Sequence, residues 1–286
     1  MKKKGKKLFT ALLVGALGYL AANLGLVASP TIAGLLFKNY LWLSFIISGV
    51  AIACSTVLIF FFVKDITPVD VSEDESGAYQ MAKDDASMMS ILRENKVMVL
   101  YILIMAFYWG AYNQWGYLLP LDMARVHGDD GALIFGSINS INCIVVVIFT
   151  PILTKIFSRF HGTVKNLISI LFLLGGFVIF LIGLGMVPVY YVAITLFTWG
   201  EILATIVMGP YMTERIPASH RGRINAFVTV IQTVIMNAAM LIVGVLYDNV
   251  SGTVAWFFVF GILIVALLGS VALISLDKKY YSELYR

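Results

Sequence analysis

Long stretches without a single charged residue constrain this chain more than any other feature. Residues 8–37, 39–63, 97–121, 131–154, 166–200, 224–247 and 249–276 contain no Asp, Glu, Lys or Arg. A helix that crosses the hydrocarbon layer of a bilayer needs about 20 predominantly apolar residues. Each run meets that length. The stretch from residue 166 to about 212 is too long for one crossing, and Gly183-Leu184-Gly185-Met186-Val187-Pro188 is a turn signal within it. Divided there, the chain reads as an all-α, polytopic membrane protein with eight spans. These lie within 8–37 and 39–63, then at 97–121, 131–154, 166–185, 188–212, 224–246 and 250–276. Composition agrees: 60% of the residues are hydrophobic and 13% are charged, too few charges to cover a soluble domain, which carries roughly a quarter. The start, Met1-Lys2-Lys3-Lys4-Gly5-Lys6-Lys7, precedes an apolar run far longer than the ~7–15 residues of a signal peptide, so it reads as a basic flank of a mature span.

Loop charge tests the division independently. If the N-terminus is cytoplasmic, the inside segments are 1–7, 64–96, 155–165, 213–223 and 277–286. They hold five, four, three, three and three basic residues, eighteen of the twenty in the chain, leaving Lys38 and Arg125 outside. That is the positive-inside asymmetry of an integral membrane protein, here expected in the plasma membrane with both termini cytoplasmic. The segment 64–96 carries Asp65, Asp70, Glu73, Asp74, Glu75, Asp84 and Asp85 and reads as a solvated linker. It divides the chain into a two-helix segment (1–63), an acidic linker (64–96) and a six-helix bundle (97–286). Cys54 and Cys143 sit in apolar runs and read as small buried hydrophobes, not as a metal site or a disulfide.

One ionisable residue, Glu201, falls deep within a span. A carboxylate there costs about 2.5–3.5 kcal/mol on insertion scales unless it is partnered or wet. Thr198 and Thr205, three before and four after it, share its helix face. The functional reading is a titratable or cation-attracting group on a substrate path; the plainer one is a protonated Glu packed against a neighbouring helix. Other spans repeat the polar theme. The third has Tyr108, Trp109, Tyr112, Asn113, Gln114 and Trp115; the fourth has Asn139 and Asn142; the seventh has Thr229, Gln232, Thr233 and Asn237. Aromatics beside amides can line a cavity for an amphipathic organic molecule. Any single amide can equally be an interhelical hydrogen bond, worth about 0.6 kcal/mol on average. Tyr117, Tyr190, Tyr191 and Trp256 lie near span ends and read as interfacial anchors.

The first span reads Gly18-x6-Gly25-x3-Ser29-Pro30-x2-Ala33-Gly34. This resembles the antiporter motif in helix five of major facilitator superfamily transporters, with Ser29 and Ala33 in place of two glycines. Pro217-x3-Arg221-Gly222-Arg223 resembles the basic loop between that family's tenth and eleventh helices, and the acidic linker resembles its long central loop. In this register the eight spans are similar to helices five to twelve, so the chain resembles the C-terminal two-thirds of a transporter, as a split, frameshifted or truncated product would. The copy of the signature loop expected after helix eight, Ser158-Arg159-Phe160-His161-Gly162-Thr163-Val164-Lys165, lacks its acidic residue. The resemblance implies that helix five packs on helix eight, so Gly25 and its small neighbours are expected near Asn139 and Asn142.

What it implies for function is secondary transport of a small organic molecule, with protons as the coupling partner and efflux of drugs or metabolites as the direction. Glu201 is also similar to the helix-ten glutamate of proton-coupled peptide transporters, so a peptide or sugar substrate is an alternative. A non-transporting fragment, or an assembly partner of a separate chain that supplies the missing helices, is the rival. A membrane enzyme is not favoured: His127, His161 and His220 fall in different loops, and no nucleophile or metal constellation forms. No cofactor and no nucleic acid is implied; the Lys2–Lys7 cluster suits anionic lipid instead.

Overall fold

The computed structural model describes residues 25–62 and 87–285, every regular element of which is helical. Gly18, the N-terminal lysines and most of the acidic linker lie outside the described residues. The helices are α1, described over Gly25–Phe37, α2 Leu41–Phe62, α3 Met88–Glu94, α4 Lys96–Tyr112, α5 Leu118–His127, α6 Gly131–Ile156, α7 Gly162–Ile182, α8 Val187–Arg215, α9 Arg221–Asn249 and α10 Gly252–Tyr280. Among the described residues, six helical segments are long and apolar enough to cross a membrane. One of them, Lys96–Arg159, is 64 residues long, about 96 Å of helix at 1.5 Å per residue. It folds back at Gly128, whose φ of 55° suits a residue without a Cβ, and it holds α4 to α6. Two of the eight expected spans are not among the six as separate segments: 8–37, described from Gly25, and 131–154, which lies inside Lys96–Arg159.

The expected third span is a broken helix. α4 ends at Tyr112, a 3₁₀ turn covers Asn113–Gly116, and α5 starts at Leu118. Asn113 turns its amide back onto the Trp109 carbonyl at 2.8 Å, and Pro120 supplies no N–H to the turn before it. The split between the fifth and sixth spans falls where the sequence places it. α7 stops at Ile182, Gly185 takes φ 94°, and Pro188 sits in the first turn of α8.

Packing is tightest where side chains are smallest. A Cβ on Gly200 would lie 2.6 Å from the Ser169 carbonyl oxygen, so α7 and α8 touch backbone to backbone. Phe177, Phe197 and Trp256 fill the core between α7, α8 and α10. α1 lies on α6: a Cβ on Gly34 would be 2.7 Å from the Ala132 carbonyl oxygen, and one on Gly136 would overlap the Pro30 carbonyl. Thr31 and Ser140 share a hydrogen bond of 2.7 Å across the same junction. The helix pairing implied by the resemblance is therefore present, but an added Cβ on Gly25 would meet nothing within 4 Å among the described residues. α2 has no buried residue, and Cys54 is exposed on it while Cys143 is buried.

Three expectations are corrected. Tyr190 and Trp256 are not interfacial anchors: both are buried in the core. The Tyr190 hydroxyl accepts from the Gly185 N–H at 2.6 Å and meets His127 at 3.1 Å. The last part of the acidic segment is not a solvated strand of chain: α3 buries Ile91 and Leu92, with Ser87 capping its N-terminus. Cys54, read as a small buried hydrophobe, is exposed because it lies on α2, which buries no residue.

The ends of the molecule sort by charge. Lys38 pairs with Asp129 at one end, 2.6 Å apart. At the other, His161 stacks on Tyr285, Thr163 bonds Tyr285, and Arg215 pairs with Asp277. The described basic segments 155–165, 213–223 and 277–285 thus meet at one end, away from Lys38.

Candidate functional site

α8 carries Glu201 next to Gly200, where it lies close against the α7 backbone, so the carboxyl is held on a tightly packed helix pair. α6 presents Asn142 to it. The Asn142 amide donates one hydrogen to Glu201 Oε2 at 3.0 Å and the other to Thr198 Oγ1 at 2.7 Å. Thr198 is fully buried and gives its own hydrogen to the Ile194 carbonyl at 2.7 Å. The Tyr112 hydroxyl, from α4, acts on Glu201 from close by. An α4 side chain thus lies beside a carboxyl held between α6 and α8. Glu201, Asn142 and Tyr112 each remain partly exposed, so the cluster opens on one side.

Aromatic rings wall it. Tyr112 stacks on Phe197 with centroids 5.1 Å apart and meets Trp109 edge-on at 4.9 Å. Trp115 stacks on Phe197 from the other side at 5.0 Å and donates its indole N–H to Asn139 at 3.3 Å. Tyr108 is wholly buried beside this wall, and its hydroxyl has no hydrogen-bond partner among the described residues. Face-on rings attract cations by about 0.5–2 kcal/mol, and a carboxyl flanked by an amide donor and a phenol can hold or release a proton with its oxygens satisfied, since a phenol both donates and accepts.

The other sequence candidates divide. Thr205 is exposed in a shallow groove with Thr150, Ile202 and Ile206, with no hydrogen bond to Glu201 among the described residues. Asn113 and Gln114 bond carbonyls of their own turn, Trp109 and Gly110, at 2.8 and 3.0 Å. Gln232 has a buried amide nitrogen without a hydrogen-bond partner among the described residues. Asn237 bonds the Thr233 carbonyl and is exposed on α9, in line with exposed Thr229 and Thr233. Of the antiporter-like residues, Pro30 and Gly34 reach α6, whereas Gly25, Ser29 and Ala33 are exposed.

Two buried acids escaped the sequence reading. Asp122 on α5, 5% exposed, accepts from Trp256 Nε1 at 2.6 Å and from Tyr247 at 3.1 Å. Asp277 on α10 is wholly buried and takes Arg215 bidentately, at 2.9 and 2.8 Å, plus the hydroxyls of Tyr211 and Tyr285. Both lie just past the expected span ends, where charge ordinarily faces water. Their partners are largely aromatic: Tyr247 and Trp256 for Asp122, and Tyr211 and Tyr285 for Asp277.

A family model described as Major Facilitator Superfamily matches residues 11–236. No curated protein matches the chain.

Proposed function

The chain belongs to the major facilitator superfamily, and from that premise we propose that it moves an amphipathic organic cation across the membrane in exchange for protons held by Glu201. Members of this superfamily are membrane transporters, and the apolar helices fit that coarser statement. The proton coupling, the substrate class and efflux as the direction are our reading.

The observation that carries it is the polar junction of α6 and α8, where Asn142 joins the Glu201 carboxyl to Thr198 with Tyr112 of α4 close by. An intramembrane acid of this kind is a functional group by default. The partly open aromatic wall of Trp109, Tyr112 and Trp115 supplies the ring faces and apolar area that a delocalised cation needs. Proton and cation compete for one carboxyl, so binding of either expels the other; that is the minimal device for exchange. The exposed Thr229, Thr233 and Asn237 on α9 support a wet or protein-covered path beside it, because bare polar stripes do not face lipid. On this reading there are eight spans, and the basic end faces the cytoplasm of a plasma-membrane protein.

The test is dye-driven collapse of a pH gradient in inverted vesicles that contain this chain, with Glu201→Gln alongside. Proton flux present in the unmodified chain and lost in the variant is the expected result. Equal flux in both, with equal insertion, overturns the role of Glu201.

A further inference from the structure

α4 and α8 run antiparallel: Asn95, the N-cap of α4, donates its amide to the Arg215 carbonyl at the C-terminal end of α8, at 3.2 Å. Their facing surfaces meet through rings. Tyr112 lies on Phe197 and, nearer the basic end, Tyr101 lies on Tyr211, with centroids 5.1 and 4.0 Å apart. Four residues along each helix from the first contact toward the second stand Tyr108 and Glu201. Residues four apart share a helix face, so the phenol and the carboxyl belong to the two facing surfaces at one level. The Tyr108 hydroxyl is wholly buried and has no hydrogen-bond partner among the described residues, and the charge on Glu201 acts on it.

The bonds that Glu201 makes suit a carboxylate. Asn142 turns its amide hydrogens to Glu201 Oε2 and Thr198, and an amide NH₂ accepts nothing. A protonated Glu is itself a donor and has to find an oxygen. Thr198 Oγ1 already accepts from Asn142 and donates to the Ile194 carbonyl. Tyr112 stands on the partly exposed side. The titratable groups around Glu201 are Tyr108 and Tyr112 from α4 and Cys143 from α6; no cation or second acid among the described residues acts on it.

We propose that the Tyr108 hydroxyl accepts the hydrogen bond of protonated Glu201, so that the proton is held on the dry side of the carboxyl and the carboxylate faces Asn142 and the aromatic wall. Tyr108 is then a positioning residue: it stays neutral, and the O–H bond remains on Glu201. Proton and organic cation are met by two orientations of one side chain. This rests on the reading of Glu201 as the proton carrier.

The experiment is infrared difference spectroscopy of the full chain in detergent, titrated with pH. Glu201→Gln assigns the protonated-carboxyl band of Glu201. Tyr108→Phe should lower the pH midpoint of that band by about 0.5–1 unit, the weight of one hydrogen bond, and move the band itself, which a purely structural hydroxyl would not do. The fold should hold, because deleting an unpaired buried hydroxyl is neutral or stabilising. Tyr101→Phe removes a second buried hydroxyl that has no partner among the described residues, on the same face of α4 but beside Tyr211, and should leave the midpoint in place. An unchanged or raised midpoint in Tyr108→Phe, or an equal fall in Tyr101→Phe, overturns the inference while Glu201 keeps its role. If Glu201→Gln removes no pH-dependent band, the proton-carrying reading fails and the inference falls with it.

Discussion

Asn142 spends both amide hydrogens within one site, on Thr198 and on Glu201, and that makes it the most exacting residue of the cluster. Asn142→Ala leaves the carboxyl with one fewer donor and Thr198 without its amide. A hydrogen bond to a charged group is worth about 1.5–3 kcal/mol, so transport should fall by about ten-fold or more with insertion unchanged. Tyr112→Phe, which removes only the hydroxyl and keeps the ring on Phe197, should fall less; vesicle flux measurements rank the two, and the reverse order would reassign the key donor. Asp277 makes a different demand. It is wholly buried and faces the Arg215 guanidinium. Asp277→Ala strands that charge, at a cost of about 3–5 kcal/mol, and should lower the thermal unfolding midpoint in detergent well beyond Tyr285→Phe, which deletes one hydroxyl. An unchanged midpoint would mean that Arg215 finds water instead. Glu201 was legible in the sequence because it interrupts a long apolar run. Asp277 and Asp122 were not, because an acid just past a span ordinarily lies in water; only the overrun of α10 to Tyr280 and the fold-back of α5 bury them.

The helices that hold these residues are placed by glycines whose roles differ with their neighbours. Gly200 and Gly209 lie in the same helix, α8. A Cβ on Gly200 would press on the Ser169 carbonyl at 2.6 Å, whereas one on Gly209 meets nothing within 4 Å. Gly200→Ala should therefore destabilise by about 1–3 kcal/mol through overpacking and move Glu201 off α6. Gly209→Ala should be neutral or stabilising by up to about 1 kcal/mol, the helix propensity gained. Paired unfolding measurements check the opposite signs, and the same sign in both would show that α7 yields readily at the crossing. Sequence alone could not separate the two, since each is a glycine in an apolar helix; only the crossing of α7 distinguishes them. The turn at Gly183–Pro188 was legible because glycine and proline carry their own backbone preferences. The break after Tyr112 was not, because Asn113 and Gln114 read as polar lining until their amides are seen to bond carbonyls of their own helix turn.

For the molecule as a whole, the distribution of basic residues and the packing agree on two ends. Sequence could assign these ends because charge is expensive in hydrocarbon and every loop reports on it. It could not foresee the cavity beside α1, whose mostly apolar walls come from segments about 90 residues apart. The Lys38–Asp129 pair at that end holds Asp129 below its ordinary carboxylate range, first through the hydrogen bond from Lys38 and then through its charge. A depressed carboxyl contributes its stability above its ordinary range and loses it as pH falls through the depressed value, so the pair is intact at neutral pH and opens only in strong acid. Its exposure keeps the effect small and sensitive to salt. Sidedness follows from the same geometry. With Cys54 and Cys143 replaced by Ser and Ala, Lys38→Cys should react with a membrane-impermeant thiol reagent from one face only. Ser158→Cys and Glu283→Cys, both exposed at the other end, should react from the opposite face, each by at least about ten-fold over the wrong side. If all three label from one face, the chain crosses the bilayer an even number of times between Lys38 and Ser158, against the three crossings of the eight-span reading. The exchange path through Glu201 would then have no second side to open to.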